Sequence, residues 1–551
     1  MEVVCLHCCG VRMRLVGKNL AYKCSIFFLL HLFGSQNLYA QVTAGALPEV
    51  NASTVRIAHP GSTLPVDWSH GGFIEIYVRG YQDSNGDGVG DLRGLIQRLD
   101  YLKALGVKGI WLMPTTVSQD ADHGYAVKDY RNIEPAYGSL ADFDELIKQA
   151  HARGIGIVLD YLINHAGTQH PAFVNAASSP NNPYRDWFVW QDTAPKAWNI
   201  YGRNPWVATY NGAYLAQFND SMPDFNLLNP KVLNFHLDNM RFWLNRGVDG
   251  FRFDAVAHLI ENGKDAWYDQ PGNYVMMNLL IKELTSHYPN RYMVCEAPES
   301  AKFYAAPSAC GHAFAFGYQY DLAKAAKGER AAIKKIAHYF NSTDNYLASF
   351  VSNHDQFAGD RLWNQVGGNV AQYRLAAATY LLQPGTPFIY YGEEIGMSNH
   401  QALATDTRLR VPMSWTQDTK GFSTSTPFRA AADNIAEQNV ATQLQNPDSL
   451  LAFYQAMLAL RNGYPSIAKG LYQFAFVDGD VLGFQRQLGA ETTLIMINFG
   501  KTGLGIKTKN LSPNKAYSLI YPKTALEITS DAKGMATVTL PGQSVSVFVQ
   551  K

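Results

Sequence analysis

From about residue 70 onward, apolar residues recur in short and nearly continuous runs, and longer stretches with helical spacing separate most of them. Such runs are typical of strands that are buried on both faces of a parallel sheet. The stretch 139–154 shows the helical type, with a serine before its first turn and a glycine at its end. Eight strands are predicted, over 73–79, 107–114, 154–165, 250–256, 291–297, 312–320, 346–355 and 386–394.

Eight strands that alternate with helices favour a (β/α)8 TIM barrel, because that fold closes with eight strands. An open, doubly wound α/β sheet is the alternative. We expect the barrel to comprise residues 71–165 and 226–465, with its last helix over 448–463.

Two regions depart from this alternation. Residues 166–225, rich in Pro, Asn, Trp and Tyr, are too long for a single helix and predict a small inserted domain B after the third strand. Short strands with an Asp-Gly turn predict a C-terminal antiparallel β-sandwich domain over 466–551. This last domain either binds sugar or caps the barrel.

The N-terminal region has the pattern of an export signal. Basic residues precede the apolar run 26–33, and small and polar residues follow it, which predicts a signal peptide over 1–40 and a linker over 41–70. The run is too short to span a bilayer, although an uncleaved anchor is the alternative. We therefore expect a secreted or periplasmic protein, in which Cys295 and Cys310 can form a disulfide.

Composition narrows the classes of partner. The 551 residues carry 46 basic and 46 acidic side chains, so the balanced charge favours neither a nucleic acid nor an anionic membrane as a partner. The 31 Tyr and 10 Trp suit a carbohydrate-binding protein, but aromatic residues also fill large cores. Composition alone does not decide between these two interpretations.

Ionisable residues cluster at the ends of the predicted strands, where barrels place their active sites. They are Asp160, His165, Arg252, Asp254, Glu296, His354, Asp355, Glu393 and Glu394. This pattern predicts a cavity lined by carboxylates. Close carboxylates suit either metal binding or glycoside hydrolysis.

Several motifs resemble those of the α-amylase family of glycoside hydrolases. They are YVRGYQDSNGDGVGDLRGL near the first strand, DHGYAVKDY, DYLINH, GFRFDAVAH, MVCEA and SNHD, in this order along the chain. The resemblance runs from about residue 70 to the C terminus. It implies a retaining enzyme that cleaves α-1,4 bonds in starch-derived malto-oligosaccharides through a covalent intermediate.

The resemblance also implies roles for individual residues. Asp254 would be the nucleophile, Glu296 the general acid and base, and Asp355 the carboxylate that holds the sugar hydroxyls. Arg252 would keep Asp254 ionised. The expected substrate-binding residues are Tyr125, His165 and His354, together with Asp122, His123, Arg252, His258 and Arg410.

Further residues place the chain between the oligo-1,6-glucosidase-like and neopullulanase-like branches of the family. Asp122 and Arg410 match a pair that narrows the pocket in α-glucosidases, whereas His123 and His258 match amylases. Ala255, after the expected nucleophile, resembles the residue of α-1,4-acting members.

The loop DSNGDGVGDL resembles the family's structural calcium loop. Asp83, Asn85, Asp87 and Asp91 have the spacing of oxygen ligands, with the Val89 carbonyl between them. A turn closed by its own side chains, without metal, is the alternative.

Three hypotheses follow for the activity. The first is an endo-acting α-amylase, with an α-glucan as the substrate and Ca²⁺ as the structural cofactor. The second is an exo-acting α-glucosidase or a glucosyltransferase similar to trehalose synthases. The third is an inactive barrel that serves as a binding or transporter-associated ectodomain.

Overall fold

The computed structural model describes residues 46–341, 343 and 345–551, so the predicted signal peptide lies outside the described residues. Its central element is a parallel sheet of eight strands in the order 7-6-5-4-3-2-1-8. The strands are Phe73–Ile76, Gly109–Leu112, Gly156–Tyr161, Gly250–Phe253, Tyr292–Cys295, Ala313–Phe314, Leu347–Ala348 and Phe388–Tyr390. A hydrogen bond of 2.8 Å from the Ala315 amide to the Ala348 carbonyl extends the sixth strand, and one of 2.7 Å from the Phe388 amide to the Ser349 carbonyl joins the eighth to the seventh. The sheet is a nearly closed barrel, which confirms the predicted fold class.

The α-helices alternate with the barrel strands, except Pro171–Ser178, which lies in the inserted segment, and Pro465–Lys469, which contacts the C-terminal sheet. Their bounds are Leu92–Gln97, Leu99–Leu105, Leu140–His151, Pro171–Ser178, Pro230–Asn245, Pro271–His287, Ala301–Tyr304, Tyr318–Ala326, Arg330–His338, Leu362–Gln365, Val370–Leu382, Val440–Gln443, Leu450–Gly463 and Pro465–Lys469. The helix at Leu140 begins as predicted, because Ser139 and Asp142 form a reciprocal capping box.

Alternate residues of each strand face the barrel interior, where large aromatic side chains fill the base. Phe73 stacks on Trp68 at 5.1 Å between ring centroids, and both are fully buried. Trp68 precedes the first strand, in the segment expected to be a linker. Its indole lies so close to Gly156 that a Cβ atom there would lie 2.3 Å from the ring. The base of the barrel is therefore sealed by a residue outside the strands.

Three smaller β structures accompany the barrel, and the first is a two-stranded antiparallel sheet of Thr116–Ser118 and Val127–Ile133 after the second barrel strand. Between the third and fourth strands, Trp190–Gln191, Gly212–Leu215 and Trp206–Thr209 form a three-stranded sheet. At the C terminus a six-stranded antiparallel sheet packs with a two-stranded sheet around a separate core. Its strands are Leu471–Asp478, Val481–Leu488, Glu491–Asn498, Ser544–Gln550, Ala516–Tyr521 and Glu527–Thr529, and the second sheet pairs Leu504–Thr508 with Ala536–Leu540.

Some details of the strand assignment are wrong, and the seventh strand, predicted over 346–355, spans only Leu347–Ala348. The predicted strand 312–320 ends at Phe314, and its second half starts the helix Tyr318–Ala326 after Gly317 takes a positive φ of 89°.

Glu393 and Glu394, which were predicted to line the cavity, do not line it. The Oε1 of Glu393 accepts hydrogen bonds of 2.7 Å from the hydroxyls of Tyr380 and Tyr454, which lie on the surrounding helices.

Glu393 leads to a prediction about stability. Burial raises its pKa to about 7, so the folded protein binds this proton more tightly than the unfolded chain does. The resulting stabilisation is present below the unfolded pKa and is lost as pH rises through 7. We expect Glu393→Gln, which stays neutral, to match the wild type at pH 4 and to exceed its free energy of unfolding by up to about 3 kcal/mol at pH 8. Urea denaturation at both pH values measures this, and a difference that does not change with pH would contradict it.

Candidate active site

A cavity of about 660 Å³ opens where the barrel strands end. The three predicted catalytic carboxylates, Asp254, Glu296 and Asp355, line it together. The other lining residues are Tyr125, His165, Tyr201, Phe218, Met222, Ala255, Ala257, His258, Trp267, Tyr268, Pro298, Glu299 and Phe357. The ends of the fourth, fifth and seventh strands thus bring the predicted catalytic residues to one site.

A single guanidinium organises the carboxylates. Arg252, only 1% exposed, places Nη1 2.7 Å from the Oδ1 of Asp254 and 2.8 Å from the Oδ1 of Asp160. Its Nη2 lies 2.9 Å from the Oε2 of Glu296. Two charges within a buried strand are tolerated because each is paired and hydrogen-bonded.

The backbone after Asp254 is unusual. Ala255 has a positive φ of 51°, a conformation that costs energy for any residue with a Cβ atom. In this turn its amide donates a 3.2 Å hydrogen bond to the Oε2 of Glu296. The strained turn therefore links the backbone of the expected nucleophile to the expected general acid.

Glu296 is electrostatically suited to proton transfer. Burial raises its pKa to about 7, while the nearby Arg252 limits the rise. A carboxyl that is half protonated near neutral pH can donate a proton in one step and accept one in the next.

This pKa predicts the alkaline limb of the activity profile. Since only protonated Glu296 can donate to a sugar leaving group, we expect kcat/KM for maltotriose to fall about tenfold per pH unit above pH 7. α-Glucosyl fluoride needs no proton on its leaving group, so its kcat/KM should stay level over this range. A profile for maltotriose that is flat to pH 9 would contradict the role of Glu296.

His354 lies beneath Asp355 and connects several elements. Its Nε2 is 3.1 Å from the Oδ2 of Asp355 and 2.7 Å from the Tyr125 hydroxyl, and its Nδ1 is 2.5 Å from the Oε1 of Glu75. Sequence reasoning missed Glu75. The available signal was a lone carboxylate within the apolar strand FIEIYVR.

Beyond Asp355, the predicted Asp122–Arg410 pair is formed. Arg410 places Nη1 3.3 Å from the Oδ2 of Asp122 and Nη2 3.1 Å from the Oδ1 of Asp355. Arg429, which sequence reasoning missed, donates from Nη2 to the Oδ1 of Asp122 at 2.7 Å. His123 accepts a 3.0 Å hydrogen bond from the Tyr125 amide and is not among the cavity-lining residues. The cavity ends at Asp355 on this side.

The opposite side of the cavity is aromatic. Tyr201, contributed by the inserted segment and 65% exposed, bonds the Nε2 of His258 at 3.0 Å through its hydroxyl. The His258 ring also lies 5.6 Å from that of Trp267. His165 lines the cavity, and its Nε2 is buried with no hydrogen bond assigned to it among the described residues. No periodicity could have placed Tyr201 or Trp267 here, because both lie on long irregular segments.

A disulfide lies directly behind Glu296. Cys295, the last residue of the fifth strand, is bonded to Cys310, which confirms that the two cysteines are within bonding reach. The closed segment contains three cavity-lining residues, Glu296, Pro298 and Glu299.

The predicted calcium loop is closed by its own hydrogen bonds. The Oδ1 of Asp83 accepts from the amides of Asn85 and Gly86, and the Oδ1 of Asp91 accepts from the Gly94 amide at 2.7 Å. Among the described residues, no three Asp, Glu, His or Cys side chains converge as metal ligands. The predicted ligand set also includes oxygen atoms of other kinds, from the Asn85 side chain and the Val89 carbonyl. Calcium stays a prediction.

Comparison with known proteins identifies the family. The model of the alpha amylase catalytic domain matches residues 75–470. Alpha-amylase 3 of Dictyoglomus thermophilum is 34% identical over 448 residues, which cover 78% of this chain and 84% of that protein. Trehalose synthase/amylase TreS of Mycolicibacterium smegmatis is 32% identical and covers 92% of this chain and 97% of its own. The crystal structure of the α-amylase from H. orenii superposes with a TM-score of 0.75 at 30% identity, covering 88% of this chain and 100% of that chain. The chain therefore belongs to the α-amylase family, whose members hydrolyse or transfer glycosyl groups.

Proposed function

We propose that the protein cleaves α-1,4-glucosidic bonds of short malto-oligosaccharides from the non-reducing end, with retention of configuration. The observation that carries this proposal is the Asp122–Arg410 contact, which closes the cavity behind Asp355. A site closed there has room for one terminal glucose and none for a chain that continues past it.

In this proposal each of the three carboxylates has a separate role in the reaction. Asp254 attacks the anomeric carbon while Glu296 gives its proton to the departing oxygen, and a covalent glucosyl-enzyme results. Glu296, now ionised, takes a proton from water, which attacks the anomeric carbon and releases Asp254. Asp355 and His165 hold the hydroxyls of the reacting glucose.

Water and sugar hydroxyls compete for the covalent intermediate. The aromatic side of the cavity supports binding of a second sugar as the acceptor, because sugar faces stack on rings such as that of Trp267. The likeness to a protein named trehalose synthase/amylase and to a solved α-glucosyl transfer enzyme, XgtA, supports some glucosyl transfer.

The endo-acting amylase predicted from the sequence stays the second candidate. The similarity to Alpha-amylase 3 favours it. The two activities differ in their first products on maltoheptaose.

The deciding experiment is a time course of maltoheptaose cleavage, analysed by chromatography and by NMR of the released anomers. We expect α-glucose and maltohexaose at the earliest times. Early maltose, maltotriose and maltotetraose would contradict exo action, and a β-anomer would contradict retention. Asp122→Ala, which opens the closed end, should add longer products.

We also propose that the chain is exported. The disulfide at Cys295 supports an oxidising compartment, and the N-terminal pattern supports a signal peptide. No helix of the described residues has the length and apolarity to cross a membrane.

A further inference from the structure

Glu75 is a buried carboxylate at the active site to which the proposed reaction gives no role. It lies on the first barrel strand, has the same inward orientation as Phe73, and is 1% exposed. Burying a carboxylate inside a barrel is costly unless a partner compensates it. Its partner is the His354 ring, at 2.5 Å from Nδ1.

The donors and acceptors around His354 define its protonation. Its ring faces a carboxylate at each nitrogen, Glu75 at Nδ1 and Asp355 at Nε2. Ionised carboxylates only accept hydrogen bonds, and a neutral imidazole has only one N–H. Tyr125 cannot supply the missing proton to Nε2, because its hydroxyl donates to the Oδ2 of Asp160 at 2.8 Å. Both nitrogens must therefore carry a proton if both carboxylates are ionised.

The wider surroundings act on both partners: burial raises the pKa of Glu75, and the charge of His354 together with its hydrogen bond opposes that rise. The charged and titratable groups facing the Glu75–His354 pair are Asp355, Asp160, Tyr125, Arg252, Arg410, Tyr390 and Tyr391. Burial opposes a charge on His354, yet Asp355 and Glu75 together raise its pKa to about 10. His354 is also the strongest of the groups that lower the pKa of Asp355.

We propose that Glu75 is a positioning residue that keeps His354 as an imidazolium, which in turn holds Asp355 ionised and oriented toward the reacting sugar. The inference rests on the proposed role of Asp355. It adds a residue from the first strand to a site otherwise built by the later strands.

Glu75→Gln tests this because it keeps the shape and an acceptor oxygen but removes the charge. We expect kcat/KM for α-glucosyl fluoride to fall about 10- to 100-fold, by analogy with metal-binding histidines that lose the partner orienting them. We also expect a new loss of activity between about pH 6.5 and 9, as His354 becomes free to deprotonate. The wild type should show no such loss with this substrate, which does not require protonated Glu296.

The matched control is Glu394→Gln, another buried glutamate, whose Oε1 accepts a hydrogen bond of 2.7 Å from a tyrosine, Tyr101, in place of a histidine. A purely structural effect would lower stability in both variants and leave both pH profiles unchanged. If the pH dependence of kcat/KM for α-glucosyl fluoride is the same in Glu75→Gln and Glu394→Gln, the proposal is overturned.

NMR of ¹⁵N-labelled histidine provides a readout that needs no activity. The His354 signal, assigned by its absence in His354→Gln, should show two protonated nitrogens at pH 8 in the wild type and one in Glu75→Gln. A neutral ring in the wild type would overturn the role of Glu75. Failure of the wild type to hydrolyse any α-glucoside would instead refute the proposed function, while the NMR result would still decide the charge of His354.

Discussion

Asp254→Asn is expected to lower kcat for maltotriose and for α-glucosyl fluoride by at least about 10⁴-fold, because the amide cannot form the covalent intermediate. The fold should be retained, since Arg252 still pairs with Asp160 and Glu296. Steady-state kinetics with both substrates measure the loss. Undiminished hydrolysis would show that another group is the nucleophile.

Chemical rescue sharpens this test. In Asp254→Gly, azide can occupy the space of the missing carboxylate and attack α-glucosyl fluoride from the face that Asp254 would use. The product should be β-glucosyl azide, and an α-azide would contradict the assignment. Asp265→Asn is the matched control, because its carboxylate is solvent-exposed and pairs with Lys264 on the surface.

Arg252→Met is expected to have the largest effect on stability. It leaves the carboxylates of Asp160, Asp254 and Glu296 buried together without their shared cation, and breaking buried ion pairs in this way costs about 3–5 kcal/mol. Urea denaturation at pH 7 should show this loss, and the loss should shrink at pH 5 as Glu296 becomes protonated.

The matched control for this charge is Arg246→Met. Arg246 pairs with Asp144 at 2.6 Å on the surface, where such pairs contribute at most about 1 kcal/mol. Equal losses in the two variants would show that Arg252 is not the organising charge of the site.

The barrel could be predicted from the sequence because its strands are buried on both faces and read as apolar runs. Strand lengths could not, since a run such as 312–320 suits a buried strand and a buried helix equally. In the structure the chain takes a positive φ at Gly317 and continues as the helix Tyr318–Ala326. Glu393 was misplaced for a similar reason, because a position near a strand end does not reveal whether a side chain points inward.

The catalytic residues could be predicted because they lie in short sequence motifs. Asp254, Glu296 and Asp355 follow apolar strands, and the barrel brings such positions together. Three other residues of the site could not be predicted, namely Glu75, Arg429 and Tyr201. Each bonds a residue more than 50 positions away, and a single sequence does not reveal such partners.

Because Trp68 closes the base of the barrel, it limits how far the catalytic domain can be shortened from its N-terminal side. The family match begins at residue 75, yet a chain cut there would lose both Trp68 and Phe73. The rings of Tyr292 and Phe388 would then border a water-filled opening beneath the active site. The shortest autonomous enzyme therefore begins upstream of its first strand, at or before Leu64, which belongs to the same buried cluster.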